Sequence, residues 1–177
     1  MNVSRLVLVL GMLPFAKSQA LEVAPGDFEP LPAGADAVLF YYQHTDRSEL
    51  YQNGHRTSDN AKLSSDVGIL RYIHAVGLGE NLSWEPQILL PFGYMNAAGD
   101  VGALGDAHGV GDPILTAPLK WTLPTANKDV FALAPYLYIP VGSYDKNDAL
   151  NLGENRWRRR YKQPTSTTSQ RSGHWTP

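Results

Sequence analysis

The second half of this chain carries apolar, β-rich segments whose connections are alternately short and long. In chain order these are Asp66–Leu78, a three-residue connection, Leu82–Pro91, a long connection over Phe92–Val110, Gly111–Leu123, a turn over Pro124–Asp129, and Val130–Pro140. Short turns at one end of a sheet and long loops at the other are typical of outer-membrane β-barrels. The pattern therefore favours a barrel wall, and with it the passage or binding of a solute rather than a reaction.

The first strand is predicted earlier in the chain, at Asp36–Gln43, which is rich in β-branched and aromatic residues. The polar segment His44–Ser65 contains Asn53-Gly54 and predicts a long loop, and Val141–Glu154 predicts another. If the first strand leaves the periplasm, every long loop falls on the outer side. The predicted fold class is all-β, an antiparallel meander of about five to six strands of the up-and-down outer-membrane type.

A period of two residues supports this prediction, because alternate side chains of a strand point to opposite faces. Three segments have one apolar face and one mixed or polar face; their apolar series are Trp84–Leu90, Pro113–Leu123 and Phe131–Ile139. Trp84 and Trp121 fall near the short turns, where an aromatic girdle at the membrane interface is expected.

Some residues do not fit a regular ladder. Prolines remove a backbone donor and are expected at strand ends or bulges; they are Pro86, Pro113, Pro118 and Pro135. In Asp66–Leu78, Arg71 and His74 fall on opposite faces, so the sequence assigns no lumen side there. A soluble, secreted β-sandwich that acts as a binding module also alternates and has loops, and it is the alternative fold.

The N-terminus predicts export. Met1–Ala20 has the form of a signal peptide, with Arg5 before an apolar stretch over Leu6–Phe15 and small residues at Ser18 and Ala20. The alternative for this segment is a buried strand. Leu21–Gly34 is proline-rich and predicts an irregular lead-in to the first strand. The protein is therefore expected in the outer membrane, with a periplasmic or secreted location as the alternative.

No motif indicates catalysis, a metal or a cofactor. Gly99-Asp100, Gly105-Asp106 and Gly111-Asp112 recur at six-residue spacing. A calcium loop is the alternative, but the spacing matches neither an EF-hand nor the nonapeptide calcium repeat and favours turns and strand starts. The histidines show no metal-binding spacing and no close carboxylate in sequence; they are His44, His55, His74, His108 and His174. The serines lack the context of a nucleophile elbow, and the chain has no cysteine. The protein is predicted not to be an enzyme.

Several blocks resemble the phenol meta-pathway degradation family of outer-membrane proteins. The residues that carry the resemblance are Leu31–Gly34, Phe40–Gln43, Gly109–Asp112, Tyr138–Asp145 and Asn151–Trp157. The resemblance spans roughly residues 21–157. It implies a β-barrel involved in the uptake or handling of hydrophobic and aromatic compounds, and it supplies no catalytic residues.

The chemistry changes after Trp157. Residues 158–177 contain five basic residues and no acidic residue, and they show no apolar alternation. We therefore expect a partial barrel domain over residues 21–157, followed by a basic, low-complexity tail that is disordered or out of frame, so that this copy is truncated. A basic arm for lipopolysaccharide or nucleic acid is the alternative. Five strands do not close a barrel, so an open sheet is expected.

The residues predicted to line the lumen are Glu85, Lys120, Tyr136 and Tyr138. Tyr136 and Tyr138, with Tyr41 and Tyr42, are suited to contacts with aromatic solutes, although girdle or packing positions are the more common role of such residues. The expected partners are aromatic or hydrophobic small molecules and outer-membrane lipid, with no nucleic acid and no cofactor. The sequence predicts no oligomeric state and does not name the solute.

Overall fold

The computed structural model describes residues 6–10, 29–126 and 128–162. These residues form thirteen strands and one 3₁₀ helix at Gly102–Leu104. The strands are β1 Leu6–Leu10, β2 Asp36–Arg47, β3 Leu50–Gln52, β4 His55–Ser58, β5 Ala61–His74, β6 Val76–Gly77, β7 Leu82–Trp84, β8 Gln87–Gly99, β9 Asp106–Val110, β10 Ile114–Thr116, β11 Leu119–Thr122, β12 Val130–Tyr138 and β13 Arg158–Lys162. Within these ranges, no helix is long and apolar enough to cross a bilayer.

The wall of the protein is an antiparallel meander in which β2, β5, β8, β10, β12 and β13 lie side by side. The short strands β6, β7 and β11 continue β5, β8 and β10 in the same register. For example, Ile114 pairs with Leu89, and Leu119 pairs with Trp84 five residues further along both strands. The sheet is therefore one continuous wall, and it does not close into a barrel.

Breaks in the strands coincide with prolines. Pro86 lies between β7 and β8, Pro113 between β9 and β10, and Pro118 between β10 and β11, while Pro135 lies inside β12. Proline cannot donate a hydrogen bond to the ladder. The pairing keeps its register across Pro86 and Pro118, whereas across Pro113 the pairing with β8 shifts by one residue between β9 and β10. The Glu85 amide still donates to the Pro118 carbonyl at 2.9 Å, which holds the two breaks side by side.

The predicted strands are all present, but some of them extend further than predicted at the long-loop end of the wall. β2 and β5 pair over twelve residues, up to Arg47 and Leu63, so much of the predicted loop His44–Ser65 is strand. The predicted loop Phe92–Val110 is mostly wrong, because β8 and β9 occupy its two ends. Polar residues extend these strands because interstrand hydrogen bonds need no apolar side chain.

Asn53 and Gly54 turn the chain between β3 and β4. Both residues have positive φ, 52° and 80°, as a two-residue type I′ hairpin turn requires. In the same hairpin, Tyr51 Oη donates to Glu49 Oε2 at 3.0 Å, and this bond raises the pKa of the Tyr51 phenol. The segment predicted as a plain loop thus carries its own small sheet.

The two faces of the wall differ in burial. On one face, the outer face, six of the strands present exposed large apolar or aromatic side chains; these are Phe40, Tyr42, Leu70, Tyr72, Trp84, Ile88, Phe92, Tyr94, Leu115, Phe131 and Leu133. The opposite, inner face carries the buried residues. Within the described ranges the strands form this wall and the two-stranded β3–β4 hairpin, with no second large sheet to complete a sandwich. The alternative of a β-sandwich is therefore wrong for this part of the chain.

Two predictions concern the chain termini. Leu6–Leu10, within the predicted signal peptide, forms β1 and pairs in parallel with Asp36–Phe40 of β2; removal of this segment as a signal peptide stays a prediction, and most of it lies outside the described residues. At the other end, β13 occupies the start of the predicted tail and pairs with β12. The sheet thus extends past Trp157 to Lys162, and the rest of the tail lies outside the described residues.

Candidate functional site

The inner face of the wall is the candidate site because it gathers buried polar side chains that a soluble core would exclude. These side chains are Arg71, Ser83, Glu85, Gln87, Asp112, Thr116 and Lys120. Small apolar residues such as Ala132 and Ala134 lie between them. The combination leaves polar groups facing inwards along the whole wall, as in the interior of an outer-membrane barrel.

At the short-turn end, Glu85 and Lys120 form a buried ion pair. Lys120 Nζ lies 2.7 Å from Glu85 Oε2, and the side chains are 3% and 0% exposed. Glu85 lies in the break between β7 and β8, and Lys120 lies in β11, which pairs with β7. A buried ion pair is costly to desolvate, so each member depends on the other and on further hydrogen bonds.

Those further hydrogen bonds come from a segment before the first wall strand. We name residues 29–35 the N-terminal strap. The Leu31 amide donates to Glu85 Oε1 at 3.0 Å, and Lys120 Nζ donates to the Glu29 carbonyl at 3.0 Å. The strap also bonds to the wall through the Gly34 amide, which donates to the Ala75 carbonyl at 2.7 Å. The strap therefore covers the ion pair from the inner side.

The sequence predicted that Glu85 and Lys120 line an open lumen. In the structure, neither side chain is exposed to one. Both lie on the inner face, as strand alternation requires, but they are buried against the strap. The sequence offered no sign of this, because the covering residues lie more than fifty positions away in the chain. Their role here is to fix the strap, and lumen lining by these two residues stays a prediction.

In the middle of the wall, Arg71 points to the inner face, which assigns the face that the sequence left open. Its Nε and Nη2 atoms donate to Gln87 Oε1 at 2.9 and 2.7 Å, and its Nη1 donates to Tyr41 Oη at 2.9 Å. Three adjacent strands, β2, β5 and β8, contribute one side chain each. Tyr41 thus faces inwards, whereas its neighbour Tyr42 faces outwards.

Tyr136 and Tyr138, predicted to line the lumen, lie on the inner face of β12 and are partly exposed. The guanidinium of Arg158 lies over the Tyr138 ring, 4.3 Å from its centroid, and Arg158 Nη1 also contacts Glu154 Oε1 at 2.6 Å. Arg158 faces Tyr138 across β12 and β13, and Arg160 faces Tyr136. This edge of the wall therefore combines aromatic rings with cations, and it is more open than the Glu85–Lys120 end.

At the long-loop end, the buried carboxylate of Asp112 holds three chain segments together. Asp112 Oδ1 accepts from the Gly142 amide and Oδ2 accepts from the Glu154 amide, both at 2.9 Å. Glycines make room for it: a Cβ on Gly142 would lie 2.8 Å from Asp112 Oδ1, and one on Gly153 would lie 3.1 Å from it. The three sequence blocks that carried the family resemblance here meet at one point.

This arrangement agrees with the interpretation of Gly-Asp pairs as turn and strand-start residues. Asp112 accepts backbone N–H groups, and Asp100 accepts from Ser58 Oγ at 2.6 Å and Asn60 Nδ2 at 3.3 Å. Within the part of the chain that the structure describes, no group of three or more histidine, cysteine or acidic side chains is placed to hold a metal ion.

Three histidines have carboxylate partners, of which His44 and His74 have the closest. His44 Nδ1 lies 2.7 Å from Asp66 and its Nε2 lies 2.8 Å from Asp46, while His74 Nδ1 lies 2.8 Å from Asp36. The expectation of no close carboxylate in sequence was wrong, because Asp46 lies two residues from His44 and Asp106 two residues from His108, 3.9 Å from its Nδ1. The pairing of β2 with β5 adds Asp66 and Asp36, which are distant in the chain. Both clusters lie on the outer face, at opposite ends of its apolar band, and His174 lies outside the described residues.

The chain is similar to proteins of one family and to a solved structure. The model of a family described as "Putative MetA-pathway of phenol degradation" matches residues 47–176. The crystal structure of the COG4313 outer membrane channel from Pseudomonas putida F1 has 51% sequence identity and a TM-score of 0.75. The similarity covers 78% of this chain and 51% of that chain, so this chain spans about half the length of the solved channel. No curated protein matches the chain.

Proposed function

The chain belongs to the MetA-pathway phenol-degradation family and lies in the outer membrane, and from this premise we propose that it forms part of the wall of a channel for aromatic or hydrophobic solutes. The family resemblance and the outer-membrane location predicted from the sequence are confirmed. The matched solved structure is described as a channel and not as an enzyme. Passage of aromatic solutes, without bond chemistry, is the finer part of the proposal.

The observation that supports a channel wall most directly is the contrast between the two faces. Large apolar side chains such as Phe40, Leu70 and Phe131 are about two-fifths exposed on the outer face, which suits contact with lipid. Polar groups such as Arg71 and Gln87 lie on the inner face and bond to each other. A single wall with these two faces separates hydrocarbon from a polar interior.

The proposed solute path follows the edge at β12 and β13. Tyr136 and Tyr138 are partly exposed, with the Arg158 guanidinium over one face of the Tyr138 ring, whereas Glu85 and Lys120 are buried beneath the N-terminal strap. Aromatic contacts contribute about 0.5–1.5 kcal/mol each, which is strong enough to select a solute and weak enough to release it. The path therefore needs only diffusion along the wall, with no catalytic group.

The proposal is tested by uptake of labelled phenol at low concentration in cells that carry the gene, lack it, or express a Tyr136→Ala/Tyr138→Ala variant. Loss of two aromatic contacts, about 1–3 kcal/mol together, is expected to lower the uptake rate at low phenol concentration by about fivefold or more. Deletion of the gene is expected to lower uptake at least as much.

The matched control is Tyr144→Ala. Tyr144 is 46% exposed and lies outside the strands, in the connection between β12 and β13. Its replacement is expected to leave phenol uptake unchanged. Equal phenol uptake with and without the gene would contradict the proposed solute class, and equal effects of the Tyr144 and Tyr136/Tyr138 variants would contradict the proposed path.

A further inference from the structure

An open groove with polar and apolar lining residues lies on the outer face at the long-loop end of the wall, where β2, β5 and β8 run side by side. It has a volume of about 370 Å³. Its lining includes Asp46, Lys62, Ser64 and Asn96. Asp46 pairs with Ser64, and Ser64 pairs with Asn96, so these three residues form one row across the three strands. We name this feature the outer groove.

The outer groove lies just beyond the apolar band of the outer face. On β5, that band is limited by two polar clusters, one in which Tyr72 and His74 contact Asp36 and another in which Tyr42 and His44 contact Asp66. His74 and Asp66 are eight residues apart, which corresponds to about 26 Å along a strand at about 3.3 Å per residue. A strand tilted by about 40° then spans about 20 Å of height, close to the roughly 25 Å apolar band of outer-membrane barrels.

This position puts the outer groove at the level of lipid headgroups. Ser64 and Lys62 lie two and four residues beyond Asp66 on β5, or about 5–10 Å further in height. The headgroup layer on each side of a bilayer is about 5–7 Å thick, so Ser64 lies within it and the Lys62 backbone lies just beyond it. Short turns of such barrels face the periplasm and long connections face the outside, so the groove faces the outer leaflet.

The chemistry of the lining suits a sugar phosphate better than an acyl chain. Asp46, Ser64 and Asn96 supply acceptors and donors for hydroxyl groups, and Lys62 supplies a cation. Arg47 also lines the groove, although strand alternation directs its side chain towards the inner face. Asp46 Oδ2 is held at 2.8 Å by His44 Nε2, so its charge is partly engaged inside the protein. Tyr42 and Tyr94 lie immediately below, facing the same way, and add ring surfaces at the edge of the apolar band.

We propose that the outer groove binds the phosphorylated sugar headgroup of an outer-leaflet glycolipid. The phosphate contacts Lys62, the sugar hydroxyls contact Asp46, Ser64 and Asn96, and the acyl chains run down the apolar band beside Phe92 and Phe40. The proposal depends on the outer-membrane location and not on the passage of solutes. Failure of phenol uptake would therefore leave it intact, and its own failure would leave the channel proposal intact.

The test is binding of purified bis-phosphorylated lipid A to the protein in detergent, measured by native mass spectrometry. Lys62→Ala is expected to weaken binding about fivefold, the effect of one lysine near an anionic lipid surface. Asn96→Ala, a second variant that leaves the charge unchanged, is expected to weaken binding of lipid A without affecting binding of phosphatidylglycerol. Soluble glucosamine 1-phosphate is expected to compete only at much higher concentration, because it lacks the acyl chains that contact the apolar band.

The matched control is Lys146→Ala, which removes an exposed lysine from the β12–β13 connection, outside the groove. It is expected to bind lipid A as the unchanged protein does. Circular dichroism of each variant checks that the sheet is intact. Lipid A binding that is equal in the Lys62, Asn96 and unchanged proteins would overturn the proposal, as would equal dependence of phosphatidylglycerol binding on Asn96.

Discussion

Glu85 and Asp112 are two buried carboxylates on the inner face, and their negative charges are compensated by different kinds of partner. Glu85 lies at the short-turn end and is paired with the Lys120 ammonium. Glu85 bonds across the sheet to Pro118, and Asp112 lies six residues before Pro118 in the chain. The two carboxylates are therefore about 20 Å apart along the strand direction. Asp112 is paired with two backbone amides and no cation among its hydrogen bonds.

The two ends of the wall are therefore held by different kinds of contact. The Glu85–Lys120 pair fixes a separate segment, the N-terminal strap, and depends on two side chains being present together. Asp112 fixes the β12–β13 connection through backbone groups, so it depends on close approach at Gly142 and Gly153 rather than on a second side chain. The stability of the short-turn end is therefore expected to depend on charge changes at the ion pair. The stability of the long-loop end is expected to depend on side-chain volume at the two glycines.

The largest effect is expected from Lys120→Met. Removal of the ammonium leaves a buried carboxylate without its counter-charge, which costs about 3–5 kcal/mol of unfolding free energy. The measurement is denaturant unfolding in detergent, followed by tryptophan fluorescence. The double variant Glu85→Gln/Lys120→Met is expected to recover most of the loss, because Gln still accepts from the Leu31 amide. No recovery would show that the ion pair is not what holds this end.

A smaller effect is expected from Asp112→Asn. The amide keeps one acceptor oxygen but loses the charge and the second acceptor, so one hydrogen bond to a charged group is lost, at about 1.5–3 kcal/mol. Hydrogen exchange of the Gly142 and Glu154 amides is the sharper measurement, since one of the two should lose protection. The comparison between the two ends breaks down if both amides stay protected.

The smallest effect is expected from Gly142→Ala. The new methyl group would lie 2.6 Å from the Gly111 carbonyl carbon and 2.7 Å from the Asp112 amide nitrogen, so backbone must move. Overpacking of this kind costs about 1–3 kcal/mol. Gly102→Ala is the matched control, because no atom lies within 4 Å of its Cβ position and its φ is not in the left-handed range. Equal stability of the two variants would contradict the role of close packing.

Much of the fold could be predicted from the sequence, because its signals are local. The alternation in Val130–Ile139 places Phe131 and Leu133 on the exposed outer face and Tyr136 and Tyr138 on the inner face, as the structure has them. Asn53-Gly54 marks a tight turn, which the structure contains within a predicted loop. Strand ends were predicted less well, because pairing across β2, β5 and β8 extends polar residues into the sheet.

The candidate site shows where sequence reasoning ends. Glu85 and Lys120 could be placed on the inner face by counting, but not beneath the N-terminal strap, since Glu29 and Leu31 lie far from them in the chain. The outer groove was equally hidden, because its lining residues lie in segments that were predicted as loops.

The class of sheet, the face of most side chains and the family of the protein could all be predicted from the sequence. These follow from a two-residue period, from turn chemistry and from blocks such as Gly109–Asp112, all of which are read within a few residues. Which polar groups are buried, and what they bond to, is visible only in the folded chain. Burial depends on chain segments that pack together from distant positions, and a carboxylate such as Glu85 or Asp112 has the same local sequence whether it meets water, a lysine or a backbone amide.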